Sequence, residues 1–163
     1  MKKCQILMMM RDKPGIMSKV TGLFSKRGFN IDGITCGVCE DKEYFRITIT
    51  VIGNKEYVEQ VRKQVAKLID VKKVEILDDE KVVKRELALI KVKSDSKTRI
   101  EITNIVDIYR AKIIDLSHEA LIIEITGDSN KVEGLIGVMD KFGILEVTRT
   151  GISAMHRTEI IKL

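Results

Sequence analysis

Residues Gly22–Ile31 read GLFSKRGFNI, and this stretch predicts the end of a helix followed by entry into a strand. Apolar residues lead into it at helical spacing, which is typical of one buried face. These residues are Ile16, Val20, Leu23 and Phe24. Lys26–Arg27 then place basic residues in the last turn, and Gly28 follows as the residue that ends a helix.

The rest of the first half completes a strand–helix–strand–strand–helix–strand order. The predicted strands are Cys4–Met10, Ile31–Val38, Tyr44–Ile52 and Val71–Leu77. A second helix starts after Gly53–Asn54, and its inward stripe is Val58, Val61, Val65 and Leu68. Before the first helix, Asp12–Gly15 forms a turn in which Asp is suited to cap and Pro14 to begin the helix.

The second half repeats this order after the polar break Asp78–Lys81. The predicted strands are Glu86–Lys93, Ala111–Leu116, Ala120–Thr126 and Ile144–Thr150. Ser96 is predicted to cap a helix that runs to about Tyr109, Ser117–Glu119 a hairpin turn, and Gly127–Ser129 the start of the last helix. We therefore predict an α+β fold with two tandem ferredoxin-like βαββαβ domains, residues 1–77 and 85–163, joined by a linker at 78–84.

Two helices cover only one face of a four-stranded antiparallel sheet. In the first half the other face carries Thr48, Thr50 and Ile52, which are too apolar together to be plainly solvated. An exposed face of this kind usually marks association. A homodimer formed through the sheet face or edge is the expectation.

Bulk composition narrows the function classes. With 44% hydrophobic residues, 33% charged residues and a net charge of +5, the chain resembles ordinary globular proteins. The charges are interspersed, so neither a nucleic-acid surface nor a membrane span is predicted. Three cysteines do not make a disulfide framework. We predict a cytoplasmic protein.

No metal or catalytic site is predicted. Cys36 and Cys39 have the spacing of half a zinc site, but the other half is missing. His118 falls in a hairpin turn and His156 in a charged tail, and neither has a nucleophile beside it. The adjacent Tyr44 and Phe45 point in opposite directions, which disfavours an RNA-binding sheet.

The turn Asp12–Gly15 is the candidate ligand site. A helix N-terminus offers unpaired amide N–H groups to a carboxylate, and Gly15 lets a ligand approach the backbone closely. Asn30, after the same helix, can donate to a carboxylate or accept from an ammonium. The alternative is that Asp12 only caps the helix and Asn30 only forms a turn.

Six segments carry a resemblance to a known family. They are Gly22–Ile31 (GLFSKRGFNI), Glu59–Val74 (EQVRKQVAKLIDVKKV), Arg85–Val92 (RELALIKV), Tyr109–Ser117 (YRAKIIDLS), Ile123–Gly127 (IEITG) and Arg149–Gly151 (RTG). Nearly end to end and in order, they resemble the small regulatory subunits of acetolactate (acetohydroxyacid) synthase. In that family an N-terminal ACT domain precedes a second ferredoxin-like domain.

The resemblance implies a non-catalytic regulatory subunit in branched-chain amino acid biosynthesis. Such subunits form homodimers and activate a large catalytic subunit, which is expected to hold the thiamine diphosphate, Mg and FAD. They also confer feedback inhibition by valine or another branched-chain amino acid. The effector residues implied here are Asp12, Gly15, Ile16, Asn30 and Ile31, with one protomer's loop joined to the other's strand.

Asp12 departs from the family pattern, which usually has Asn at this position. Asn can serve either end of a zwitterion, whereas Asp pairs with the ammonium and repels the carboxylate. A different function class is a free-standing tandem ACT-type sensor that regulates another enzyme or a transcriptional process. An enzyme in its own right lacks any acid–base or nucleophile grouping.

Overall fold

The computed structural model describes residues 2–158 and divides them into two compact units, 2–83 with 152–158 and 84–151. The elements that begin in the first part of the chain are β1 (Lys2–Arg11), α1 (Ile16–Lys26), β2 (Gly33–Val38), β3 (Tyr44–Gly53), α2 (Lys55–Val65) and β4 (Val71–Ile76). They are followed by β5 (Val82–Lys93), α3 (Arg99–Ile108), β6 (Lys112–Leu116), β7 (Ala120–Gly127), α4 (Ser129–Met139), a 3₁₀ turn (Asp140–Phe142), β8 (Ile144–Arg149) and β9 (Ser153–His156). The α+β prediction of two βαββαβ units is confirmed, and β9 is an additional strand.

The first unit is a four-stranded antiparallel sheet in the order β2-β3-β1-β4. Alternate residues of the two central strands face the helices, as a period of two requires. They form a dry core with one stripe of each helix, built by Ile6, Met8, Met10, Val20, Phe24, Ile47, Ile49, Val51, Val58, Val61 and Val65. The helical stripes predicted from the sequence are therefore the buried ones.

The stretch after α1 forms a Schellman motif. Gly28 adopts φ 66°, a left-handed conformation that favours glycine. The Phe29 N–H donates to the Phe24 carbonyl at 2.9 Å, and the Gly28 N–H donates to the Ser25 carbonyl at 3.2 Å. The Phe24 and Phe29 rings meet edge to face with centroids 5.9 Å apart, which is the hydrophobic contact of this motif. The local sequence thus fixes how the chain leaves α1.

The second unit repeats the sheet as β6-β7-β5-β8. Asp128 caps α4 as predicted, with its carboxylate accepting from the Lys131 N–H at 2.9 Å. The prediction that Ser96 caps α3 is wrong. The Asp95 carboxylate takes the amides of Lys97 and Thr98 at 2.9 and 2.8 Å, because a charged acceptor outcompetes a hydroxyl.

Residues 152–158, which we call the C-terminal strap, return to the first unit. The Arg46 guanidinium donates to the Ala154 carbonyl at 2.9 Å, and the His156 ring lies 2.8 Å from a Glu75 carboxylate oxygen. Ala154 is buried with Leu7, Leu77 and Val82. The sequence division had placed 152–163 in the second domain, and its remainder, 159–163, lies outside the described residues.

The second sheet face, on which Ala154 of the strap packs against Leu7, is buried at its centre. Thr48 and Thr50 are both only 4% exposed, and Leu7 beside Thr48 is 2% exposed. The expectation that this face is exposed is therefore wrong for its centre, whereas the predicted homodimer stays a prediction. Ile52, nearer the end of β3, remains 38% exposed.

The contact between the strap and Glu75 predicts a pH dependence of stability. Burial alone would raise the pKa of Glu75, but hydrogen bonds from His156 and Lys73 outweigh it and hold that pKa below its ordinary value of 4.5. Such a carboxylate stabilises the fold above its unfolded-state pKa, and this contribution is lost as the pH falls through the lower folded-state pKa. In urea unfolding at stepped pH, we expect Glu75→Gln to lower the free energy of unfolding by about 1 kcal/mol or less at pH 7. Below pH ~4.5, the free energy of unfolding of this variant should fall less steeply than that of the unsubstituted chain. Parallel slopes for the two proteins would contradict this role of Glu75.

Candidate functional site

The turn between β1 and α1 is held by backbone contacts on both sides. The Asp12 N–H donates to the Glu43 carbonyl at 2.8 Å, and the Ile16 N–H donates to the Lys13 carbonyl at 3.2 Å. Gly15, the N-cap residue of α1, has φ 83° and ψ 3°. A Cβ built on Gly15 would meet no atom within 4 Å. The glycine is therefore required by its backbone angle, and the space beside it is open.

The interpretation of Asp12 as a helix cap is wrong. The cap position belongs to Gly15, and no side chain caps α1 or places a negative charge in its first turn. By contrast, Asn54 caps α2 by accepting from the Tyr57 N–H, and Asp128 caps α4. Because the first amides of a helix have no intrahelical acceptor, the start of α1 keeps a partial positive charge that no capping side chain offsets.

Ile16 is a core residue, only 6% exposed, and its N–H is already bonded. Within one chain Ile16 therefore sets the position of the turn, and its part in effector binding stays a prediction. Asp12 and Gly15 are exposed. These two and the first-turn amides that follow Ile16 are the groups at this end of α1 that a ligand can reach.

Asn30 and Ile31 lie beyond the opposite end of α1. The Asn30 N–H donates to the Tyr57 hydroxyl at 3.2 Å, and the Tyr57 ring packs against Phe29 with centroids 5.4 Å apart. Asn30 is exposed, and Ile31 packs partly against the core. The contact of Tyr57 was not predicted from the sequence. The residue that indicates it is Gly53, four positions earlier, where a Cβ would lie 2.3 Å from the tyrosine ring.

The two halves of the predicted site do not meet within one chain. Gly15 and Asn30 flank a helix of 11 residues. At a rise of about 1.5 Å per residue, that separates them by about 16 Å along its axis. The fold brings Asp12, Gly15 and Ile16 together at one end, and Asn30 and Ile31 at the other.

Asp70 organises the surface beside the turn and was also missed. Its carboxylate lies 2.6 Å from the Lys19 ammonium and 3.8 Å from that of Lys13, and its carbonyl accepts from the Arg11 N–H at 3.0 Å. The hydrogen bond from Lys19 lowers the pKa of Asp70 below its ordinary value. Asp70 is therefore charged and ties the α2–β4 loop to both sides of the turn.

The remaining candidates lie apart from this turn. Cys36 is exposed on the edge strand β2, and the Cys39 thiol contacts the carbonyls of Asp41 and Tyr44. His118 is exposed in the β6–β7 turn. Within residues 2–158 there is no group of three His, Cys, Asp or Glu side chains that could hold a metal ion. No helix in this range is long and apolar enough to cross a bilayer.

The four-stranded βαββαβ sheet with its uncapped helix start has the form of a regulatory domain of the ACT type, and the family models place the first unit in this class. The family model for the AHAS small subunit-like ACT domain matches residues 6–73, and the model for the small subunit of acetolactate synthase matches residues 85–158. The chain is 43% identical to the acetolactate synthase small subunit of Mycobacterium bovis over 149 residues, covering 91% of this chain and 89% of that one. It is 43% identical to the Bacillus subtilis protein of the same name over 147 residues, covering 90% and 86%.

A solved structure supports the same family assignment. The crystal structure of the acetolactate synthase small subunit from Thermotoga maritima matches with a TM-score of 0.88 and 44% identity, covering 98% of this chain and all of that one. This chain belongs to the family of acetolactate synthase small subunits, as the resemblance of its segments predicted.

Proposed function

We propose that this chain is the non-catalytic regulatory subunit of a cytoplasmic acetolactate synthase, a transferase. It activates a large, thiamine-diphosphate-dependent catalytic subunit, which also holds the Mg and FAD. It makes that enzyme sensitive to valine or another branched-chain amino acid. The chain forms a homodimer, and the effector binds between the ACT domains of the two copies.

The observation that carries the shared effector site in this proposal is the separation of the two half-sites by α1. An amino acid is much shorter than the roughly 16 Å between Gly15 and Asn30. It can touch both only if Asn30 comes from a second copy. The start of α1 then receives the effector's carboxylate, and Asn30 of the partner binds its other polar group. The aliphatic side chain lies near Ile31.

Asp12 has one role in this arrangement. Asp12 is exposed and lies three residues before Gly15 in the same turn. A carboxylate attracts an ammonium and repels a carboxylate, so Asp12 fixes the direction in which the zwitterion binds. The effector's ammonium faces Asp12, and its acid group faces the amides of α1.

Regulation follows if the effector binds one arrangement of the dimer better than another. A ligand with equal affinity for both arrangements transmits nothing. A coupling free energy of about 1–3 kcal/mol is typical and changes an affinity severalfold to more than a hundredfold. The catalytic subunit senses this change through its contact with the regulatory chain.

The test is a reconstituted complex assayed with and without valine. We expect the catalytic subunit to be more active with this chain than alone, and valine to lower the activity only when the chain is present. Leucine and isoleucine should act within about one to two orders of magnitude of valine, because one methylene is worth about 1–3 kcal/mol. Absence of any activation would rule out the proposal, and activation without an amino acid response would rule out its sensing part.

A further inference from the structure

The loop between α2 and β4 contains an unusually exposed apolar side chain. Ile69 is 100% exposed, the highest exposure of any large apolar residue among residues 2–158. Single exposed apolar residues are common, but they usually bury part of their surface against neighbours. A fully exposed isoleucine that nothing in its own fold needs is the kind of residue that a protein partner can bury.

The groups around Ile69 are mostly cationic. Arg11, Lys13 and Lys72 line a shallow pocket of about 320 Å³ beside it, together with Tyr44. The carboxylate in this lining belongs to Asp70, and its side chain is only 12% exposed and engaged by Lys19. Three cations therefore face solvent around the isoleucine, and the one carboxylate in the pocket lining is mostly covered.

The pairing of these cations is incomplete. Lys72 lies 3.3 Å from Asp41 and sits 4.0 Å from the centre of the Tyr44 ring. Among the described residues, the Arg11 guanidinium forms no close ion pair and acts on the Asp70 carboxylate only through its charge. An approaching surface that carries carboxylates would gain both steering and pairing here.

We propose that Ile69, with Arg11, Lys13 and Lys72 around it, is the surface that docks onto the catalytic subunit. That subunit would supply an apolar pocket for the isoleucine, rimmed by carboxylates. The inference rests on the proposed function, because it names the surface through which the regulatory chain acts. We call these four residues the Ile69 knob.

The position of the Ile69 knob also explains how effector binding is transmitted to the catalytic subunit. Arg11 and Lys13 flank Asp12 directly, so the knob and the predicted effector turn share one stretch of backbone. Asp70, next to Ile69, is bonded to the Arg11 N–H and to Lys19 on α1. A ligand that shifts the start of α1 therefore shifts the knob with it.

The experiment titrates the catalytic subunit with the full-length chain and measures activity and binding. Ile69→Asp should raise the concentration needed for half-activation by about tenfold or more, as hot-spot residues do. The matched control is Ile108→Asp on α3, where an isoleucine is 78% exposed. It should leave half-activation unchanged. Both variants should melt like the unsubstituted chain, because neither removes buried apolar area.

Salt provides a second readout. Complex formation by the unsubstituted chain should weaken as KCl is raised, and Arg11→Gln should reduce this dependence, since surface charge pairs are screened. If Ile69→Asp activates like the unsubstituted chain while that chain activates normally, the docking surface is wrong and the proposed function stands. If Ile69→Asp instead dissociates the chain's own dimer, the knob is a contact between copies and the inference falls. If the unsubstituted chain neither binds nor activates the catalytic subunit, both fall together.

Discussion

Replacement of Gly15 by aspartate should strongly weaken the response of the reconstituted enzyme to valine and leave its activation intact. The new carboxylate would lie at the open start of α1, where the structure leaves space beside Gly15. Two like charges about 4 Å apart repel by about 1 kcal/mol in water and about 4 kcal/mol near a protein surface. The valine concentration for half-inhibition should therefore rise between about fivefold and several hundredfold. Inhibition curves of the two complexes measure this directly.

Asparagine at the same position is the matched control. It has nearly the shape of aspartate and tolerates the left-handed conformation that Gly15 adopts at φ 83° better than most residues. Gly15→Asn thus separates the effect of charge from that of bulk and backbone strain, and it should retain more of the response than Gly15→Asp. Full valine sensitivity in Gly15→Asp would remove this turn from the site.

Combining two variants that each bind valine poorly as homodimers should restore valine binding at one site. In a dimer of Gly15→Asp with Asn30→Ala, one of the two interfacial sites contains both substitutions and the other contains neither. Each homodimer has a defect in both sites. Calorimetry on the mixed dimer, isolated with two different affinity tags, should therefore recover one site with the affinity of the unsubstituted chain. This restoration is possible only because the turn and Asn30 of one site come from different copies.

Asn30→Ala is a mild change for the fold. Asn30 is exposed, and its contact to Tyr57 uses the backbone N–H, which alanine keeps. A substitution of this kind usually changes stability by less than about 0.5 kcal/mol. If the mixed dimer bound no valine while each homodimer remained folded, a site shared between copies would be excluded. If Asn30→Ala homodimers bound valine normally, Asn30 would have no part in the site.

The sequence placed a candidate site at the turn before α1 and at Asn30, which stays a prediction, but it did not give the local role of each residue. It predicted Asp12 as a possible cap and Ile16 as a contact, whereas the structure puts Gly15 at the cap and Ile16 in the core. A sequence-based choice of capping residue uses local preference, which favours aspartate. Gly15 occupies the N-cap position here because the backbone takes a positive φ that aspartate adopts only at a cost. The contribution of Tyr57 to the position of Asn30 depends on a contact 27 positions along the chain.

The sequence by itself determined the order of strands and helices in the two βαββαβ units, the helix faces that pack on the sheets and the end of α1 before Gly28. These features depend on periodicity and on turn chemistry, which act over a few neighbouring residues. Only the tertiary structure decided that the C-terminal strap returns to the first unit, where Arg46 bonds Ala154 across 108 positions and His156 meets Glu75 across 81. Only it placed Asp70 between Arg11 and Lys19. Contacts at such distances leave no local pattern, because each partner alone is an ordinary polar residue whose role appears when the chain brings the other one beside it.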